Sequence, residues 1–269
     1  MTRIAITRAV SRSLARCELS HLERQPIDVA RARVQHAAYE TLLVTLGCEL
    51  RRLDEAPGLP DAVFVEDTAV VLDELAVITR PGAASRRDET RAVAAALAPL
   101  RALVSIGPPG ILDGGDVLRI GRTLWVGRGE RSDDAGIAQL AARVEPYGYR
   151  VRVTAVRDCL HLKSAVTEVA DGVLLVQPRW LAADALDRSL ERIAVAADEP
   201  FAANALRIGD TLVYPSAFPA TRRRLERRGL DVRVVDVSEL ARAEGAVTCC
   251  SLIVAGPPIP AGGTVPDAG

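Results

Sequence analysis

A unit that recurs along the chain limits its possible folds more than any other feature. Segments 73–79, 122–127, 171–176 and 210–214 each set a polar turn before a short β-rich run. Leu75 and Leu124 are 49 residues apart, Leu124 and Leu174 are 50 apart, and Leu174 and Leu212 are 38 apart. Each run leads into a stretch rich in Ala, Leu and Arg with helical spacing, at 90–97, 135–144, 183–194 and 220–228. Further β-branched runs follow at 149–153 and 230–235, with Gly148 and Gly229 as helix stops. Another run precedes each polar turn, at 63–71, 111–118, 161–166 and 201–206. The unit therefore reads strand, turn, strand, helix, strand. Joining the chain ends supplies a fifth copy: 248–255 gives its first strand, 3–7 its second, and 29–46 a helix stopped by Gly47. Five ββαβ units closed by the two termini would each bury an apolar face against a neighbour.

Composition agrees with one α/β assembly over residues 1–255. The 269 residues are 49% hydrophobic and 26% charged, enough for a core. The formal net charge of −1 offers no footprint for nucleic acid or an anionic membrane. No apolar run reaches the roughly 18 residues of a membrane span. Arg3 and Arg8 interrupt the first ten residues, so these do not read as a signal peptide. Five cysteines (Cys17, Cys48, Cys159, Cys249 and Cys250) make an odd number, which points to thiols in a reducing cytoplasm. With neither a CxxC pair nor an HExxH motif, no metal site is expected. Segment 222–228 is basic but lacks interleaved aromatics, and reads as a solvated helix face. The Gly- and Pro-rich tail 256–269 is expected to be disordered.

The chemistry-bearing side chains fall in the first strand of each unit: Glu66 and Asp67, Asp113 and Asp116, His161, and Cys249 with Cys250. Equivalent positions of a closed pseudo-symmetric array converge. Taken singly, Cys249 reads as a core filler, His161 as a satisfied core histidine, and Gly114-Gly115 as a tight turn. Adjacent carboxylates in a strand point to opposite faces, so one of Glu66 and Asp67 turns inward and needs a cation. Taken together, a thiol, an imidazole and carboxylates suit attack on a planar cationic carbon such as a guanidinium.

The segments 61–71, 78–87, 112–118, 160–164 and 248–252 resemble dimethylarginine dimethylaminohydrolase, of the guanidino-modifying superfamily with the five-bladed α/β propeller (pentein) fold. The resemblance runs in order from about residue 3 to residue 255. It implies hydrolysis of Nω,Nω-dimethyl-L-arginine, and of the monomethyl compound, to citrulline and the amine, with no metal or organic cofactor. It also implies Cys249 as nucleophile, His161 as general acid and base, and Asp113 as the orienting carboxylate, with Asp116 the alternative. Asp61, Glu66 and Asp67 would surround the guanidinium, and Arg86 and Arg131 would clamp the α-carboxylate. Val10 and Ala243 would offer backbone carbonyls to the α-amine. Cys250 reads as packing, with redox modulation a lesser reading. The first 30 residues hold a mobile loop over the pocket in family relatives.

Three readings compete. The first is this hydrolase. The second is a deiminase- or amidinotransferase-like enzyme acting on unmethylated arginine or another guanidino compound. The third is a guanidine-binding module without turnover. Deiminating relatives carry an acid two residues beyond the histidine, where this chain has Lys163, its single lysine. The expected partner is a small guanidino substrate, with a homodimer left open.

Overall fold

The computed structural model describes residues 3–182 and 185–257. The chain opens with β1 (Arg3–Arg8), α1 (Val29–Thr45) and β2 (Cys48–Leu53). Next come β3 (Ala69–Val71), β4 (Leu75–Ile78), α2 (Thr90–Leu97) and β5 (Ala102–Ser105). The following blade is β6 (Val117–Ile120), β7 (Thr123–Arg128), α3 (Asp134–Val144) and β8 (Arg150–Ala155). A short α4 (Leu162–Ala165) leads into β9 (Val166–Ala170), β10 (Val173–Val176) and β11 (Glu191–Ala194). The last stretch holds β12 (Leu206–Ile208), β13 (Thr211–Pro215), α5 (Pro219–Arg227), β14 (Asp231–Val235), α6 (Ser238–Ala241) and β15 (Leu252–Ala255).

The strands form five three-stranded sheets of one pattern: an antiparallel hairpin whose second strand also pairs, in parallel, with a third. The repeat expected from the sequence is thus present. The fifth blade joins the termini, with β1 antiparallel to β15 (Ile4 opposite Val254) and parallel to β2 (Ala5 opposite Leu50). Asp28 and Asp133 cap α1 and α3 by accepting from the amides of Arg31 and Gly136. Gly47, Gly148 and Gly229 follow the helical stretches in left-handed conformation, as expected of stops.

No blade owns a core. Each of the five larger apolar clusters spans two successive blades, and a sixth, small one gathers Cys159, Ala165 and Trp180. Val70 and Val77 meet Val117 and Leu124, Leu118 and Trp125 meet Val166 and Leu174, and Val169 and Leu175 meet Leu212 and Tyr214. Ile208 and Val213 meet Ala5 and Cys48, and Ile4 and Val254 meet Ala69 and Ala76, which closes the ring. A blade removed would expose two interfaces, so the array stands or falls together.

Two expectations need correction. The helix expected at 183–194 does not form; residues 183–184 lie outside the described residues, and Glu191–Ala194 is strand β11, parallel to β10. Leu181, Leu186 and Leu190 instead fill the slot between the second and third blades, and Ile193 enters the next core. Their spacing suits a helix, but strand pairing satisfies the backbone while burying the same side chains. The reactive residues, secondly, do not lie in the first strands. Glu66 and Asp67 sit in the 3-10 turn Val65–Thr68, Asp113 immediately precedes the turn Gly114–Asp116, His161 precedes α4, and Cys249 and Cys250 lie in the turn before β15. A turn leaves backbone N–H groups free to meet carboxylates, which a paired strand cannot do. Asp67 accepts from the amide of Gly115 (3.1 Å), and Asp113 from that of Gly82 (2.9 Å). Of the expected tail, residues 258–269 lie outside the described residues.

The basic segment on α5 is largely exposed, and its charges have partners: Arg222 pairs with Glu226, Arg228 pairs with Glu191, and Arg224 donates to the carbonyls of Ala194 and Val195. Among the described residues no helix is long and apolar enough to cross a membrane.

Candidate active site

The turns at one end of the ring enclose a cavity of about 20 Å³. Asp61, Asp67, Arg86, Arg131, His161, Ala243 and Cys249 line it, so residues from three blades and from the stretch between α6 and β15 converge. Glu18, Phe64, Leu160, Glu244 and Gly245 complete the wall.

His161 is buried between two acids. Its Nε2 lies 3.0 Å from Asp113 Oδ2, and its Nδ1 3.7 Å from Asp67 Oδ1. Burial alone depresses an imidazole pKa, but Asp67, the Asp113 hydrogen bond and Asp116 outweigh it and raise the value to about 9. The ring is therefore cationic at neutral pH. Asp113, not Asp116, holds the ring. Asp116 accepts from the Leu162 amide (3.0 Å) and from Ser132 Oγ (2.7 Å), fixing the backbone beside the histidine. Burial, followed by Asp113, raises Asp116 to about 6 against the pull of His161.

Gly114 and Gly115 permit this approach. A Cβ on Gly114 would stand 2.0 Å from the carbonyl oxygen of Glu66; on Gly115 it would stand 2.6 Å from Asp67 Oδ1 and 2.7 Å from His161 Nδ1. Close approach, not only a turn, requires the pair.

The carboxylates expected to await a cation already have protein partners. Asp67 accepts from Arg86 Nη1 at 2.6 Å. Burial would raise its pKa, but His161, Arg86 and Lys163 hold it below the usual carboxylate range. Arg86 is itself buried and occupied, donating also to Glu89 and to the carbonyls of Phe64 (3.1 Å) and Asp61 (3.4 Å). Glu66 faces away from the catalytic cavity. Its carboxylate accepts from Lys163 Nζ (2.6 Å) and Thr248 Oγ1 (2.7 Å) at the edge of a second cavity of about 360 Å³, lined by all five first strands. Lys163 is thus neither solvated nor free. Val10 lies in the α1 core and does not line the catalytic cavity.

The two adjacent cysteines differ. Cys250 is fully buried in that core, with Sγ 3.4 Å from the Ala246 carbonyl oxygen. Cys249 is half-buried on the cavity wall. Burial, with Glu66 and Asp67, pushes the Cys249 thiol above its usual value. All five cysteines are free thiols.

Asp67, Asp113 and His161 offer ligand atoms within 4.8 Å of one another, a geometry able to hold a metal. Arg86 and the cationic imidazole already supply that corner with positive charge. Glu18, Glu89 and Glu244 escape sequence reasoning because no local pattern marks them. The Arg86–Glu89 spacing is an ordinary i,i+3 helix pair, and only its burial makes it unusual.

Five blades with a thiol, an acid-held imidazole and carboxylates on one rim define the guanidino-modifying class of pentein enzymes. No family model matches the chain. It is 41% identical over 249 residues to a Streptomyces coelicolor protein named N(G),N(G)-dimethylarginine dimethylaminohydrolase, covering 92% of this chain and 95% of that one. It is 31% identical to the Pseudomonas aeruginosa protein of that name, covering 87% and 91%. The chain belongs to the dimethylarginine dimethylaminohydrolase family. Among solved structures, a mutant of the Pseudomonas aeruginosa enzyme complexed with citrulline superimposes with a TM-score of 0.87 at 30% identity, over 94% of this chain and 99% of that one. The N-terminal domain of a cyanobacterial arginine dihydrolase, at 20% identity and a TM-score of 0.84 over 97% of this chain and all of that domain, shares the fold.

Proposed function

We propose that this chain hydrolyses Nω,Nω-dimethyl-L-arginine, and the monomethyl compound, to citrulline and the amine. The observation that carries the reading is the His161 imidazole, held 3.0 Å from Asp113 in a cavity whose wall also bears Cys249. Family membership supports the same substrate class.

The Cys249 thiol releases its proton to solvent when a guanidinium enters beside Asp67, because the new positive charge offsets the acids that hold the thiol neutral. The thiolate sulfur bonds to the guanidinium carbon. His161 donates its proton to the departing nitrogen, the C–N bond breaks and dimethylamine leaves. A thiouronium on Cys249 remains. The neutral imidazole then takes a proton from water and the oxygen bonds to the same carbon; the C–S bond breaks, the hydroxyl proton passes to the departing sulfur to restore the thiol, and citrulline leaves. Asp113 keeps the ring oriented throughout.

Asp67 and Asp61 are the acids assigned to the substrate cation, with Glu66 acting from behind, through Lys163 and Thr248. Arg131 is assigned to the α-carboxylate. Arg86 joins it only if ligand binding breaks its contacts to Asp67 and Glu89, so its first role is to hold Asp67. Ala243 offers its carbonyl to the α-amine; the buried position of Val10 gives its assignment less support. We take residues 1–255 as one catalytic domain and place it in the cytoplasm, consistent with five free thiols.

Incubating the protein with dimethylarginine and, separately, with arginine tests the reading. Citrulline and dimethylamine in equal amounts from the first are expected; citrulline from arginine alone would assign the chain to the deiminating class.

A further inference from the structure

Residues 18–22 run beside the catalytic cavity, with Glu18 in its wall, and are anchored at both ends. The Glu18 amide donates to Asp61 Oδ2 (3.1 Å), and Arg131 Nη2 donates to Ser20 Oγ (2.8 Å). Ser85 Oγ donates to the Glu18 carboxylate (2.5 Å). The Glu244 carboxylate collects three consecutive amides, from Ser20 (3.0 Å), His21 (2.6 Å) and Leu22 (2.6 Å). Glu244 does so from a left-handed backbone, φ +59°, that a residue with a side chain rarely adopts. Three N–H groups on one carboxylate make a charge-assisted cradle, stronger than the neutral contacts around it.

In this state the cavity holds about 20 Å³, little more than the roughly 10–15 Å³ that one water centre needs. An arginine side chain does not fit. Two of the anchors, Asp61 and Arg131, are the groups assigned above to the substrate, and they are satisfied by the lid itself. Glu244 is the strong anchor with no such assignment.

We propose that Glu244 is the latch of a self-occluding lid. Its carboxylate holds residues 20–22 down, so that Ser20 occupies Arg131 and the Glu18 amide occupies Asp61 until a guanidino amino acid displaces both. The inference rests on the substrate reading of Asp61 and Arg131. Glu244 acts through the lid and is a positioning residue. Because only the unlatched fraction can bind, the latch weakens apparent affinity by that fraction.

Hydrogen exchange of the full-length protein, read by mass spectrometry over Ser20–Leu22, tests the latch without any turnover. Tryptic cleavage after Arg16 and Arg24 gives a second readout of lid opening. In Glu244→Gln, exchange at the three amides should quicken on the order of tenfold, the loss expected for a charged acceptor. Glu244→Asp, which keeps the charge, should retain part of the protection. KM for dimethylarginine should fall several-fold in Glu244→Gln, an effect that mere structural damage does not produce. Unchanged exchange would overturn the latch; so would faster exchange with a raised KM, which would mean that Glu244 serves the substrate-bound state instead. Absence of turnover in the unmodified protein would sink the substrate reading, while the exchange result would still judge the latch.

Discussion

Asp113 and Asp67 hold the His161 imidazole from opposite sides, Asp113 at 3.0 Å from Nε2 and Asp67 at 3.7 Å from Nδ1. The two acids come from different blades, and between them they keep a buried ring cationic. Asp113 makes the direct hydrogen bond, so it sets the ring's orientation as well as its charge.

Asp113→Asn should therefore lower kcat by roughly 10²–10⁴-fold, the range for a general acid and its orienting partner. Asp113 favours the protonated ring, whose pKa lies near 9, so activity should decline as pH rises through about 9. Removing the Asp113 charge lowers that pKa, and the alkaline limb of the kcat profile should move to lower pH. A limb that stays in place would show that another acid sets the ring's charge.

Gly115→Ala tests the close packing at the same point. The added methyl would stand 2.6 Å from Asp67 Oδ1 and 2.7 Å from His161 Nδ1. The ring must shift, and a displacement near 1 Å costs on the order of 10²-fold in rate. Circular dichroism should show the fold retained while citrulline formation falls by about that factor.

The adjacent thiols should separate cleanly. Cys249→Ser should abolish citrulline formation. Cys250→Ser replaces a sulfur buried in the α1 core near the Ala246 carbonyl and should cost about 1 kcal/mol of stability, read by urea denaturation, with activity kept. The reverse pattern would exchange the roles of the two residues.

Lys163 and Glu66 form a largely buried pair, with side chains 17% and 10% exposed. Lys163→Met leaves the Glu66 carboxylate without its cation, and such a loss typically costs about 3–5 kcal/mol. Urea denaturation should show it. Adding Glu66→Gln to Lys163→Met should recover most of the loss; no recovery would mean that the lysine stem, not the charge pair, is what matters.

Much of this molecule is legible in its sequence, for physical reasons. Each blade repeats a hairpin with a polar turn, and the closing blade emerges once Leu252–Ala255 is set beside Arg3–Arg8. Asp113 and His161 are marked by the resemblance of segments 112–118 and 160–164, since taken singly His161 reads as a satisfied core histidine. The third blade misleads because Leu186, Leu190 and Ile193 suit a helix as well as a packed loop and strand, and only pairing with β10 decides. The partners of Glu66, Asp67 and Arg86 were hidden, since a cation 97 residues distant in sequence, such as Lys163, leaves no local trace beside Glu66. The hold of Glu244 on the amides of Ser20–Leu22 is equally silent, for it spans more than 220 residues.

Acid-quenched mass spectrometry of the protein during turnover of dimethylarginine weighs the whole chemical account in one spectrum. The account predicts a transient increase, confined to the peptide carrying Cys249, equal to dimethylarginine less dimethylamine. Steady turnover with an unmodified Cys249 at every quench time, and citrulline still formed by Cys249→Ser, would contradict it.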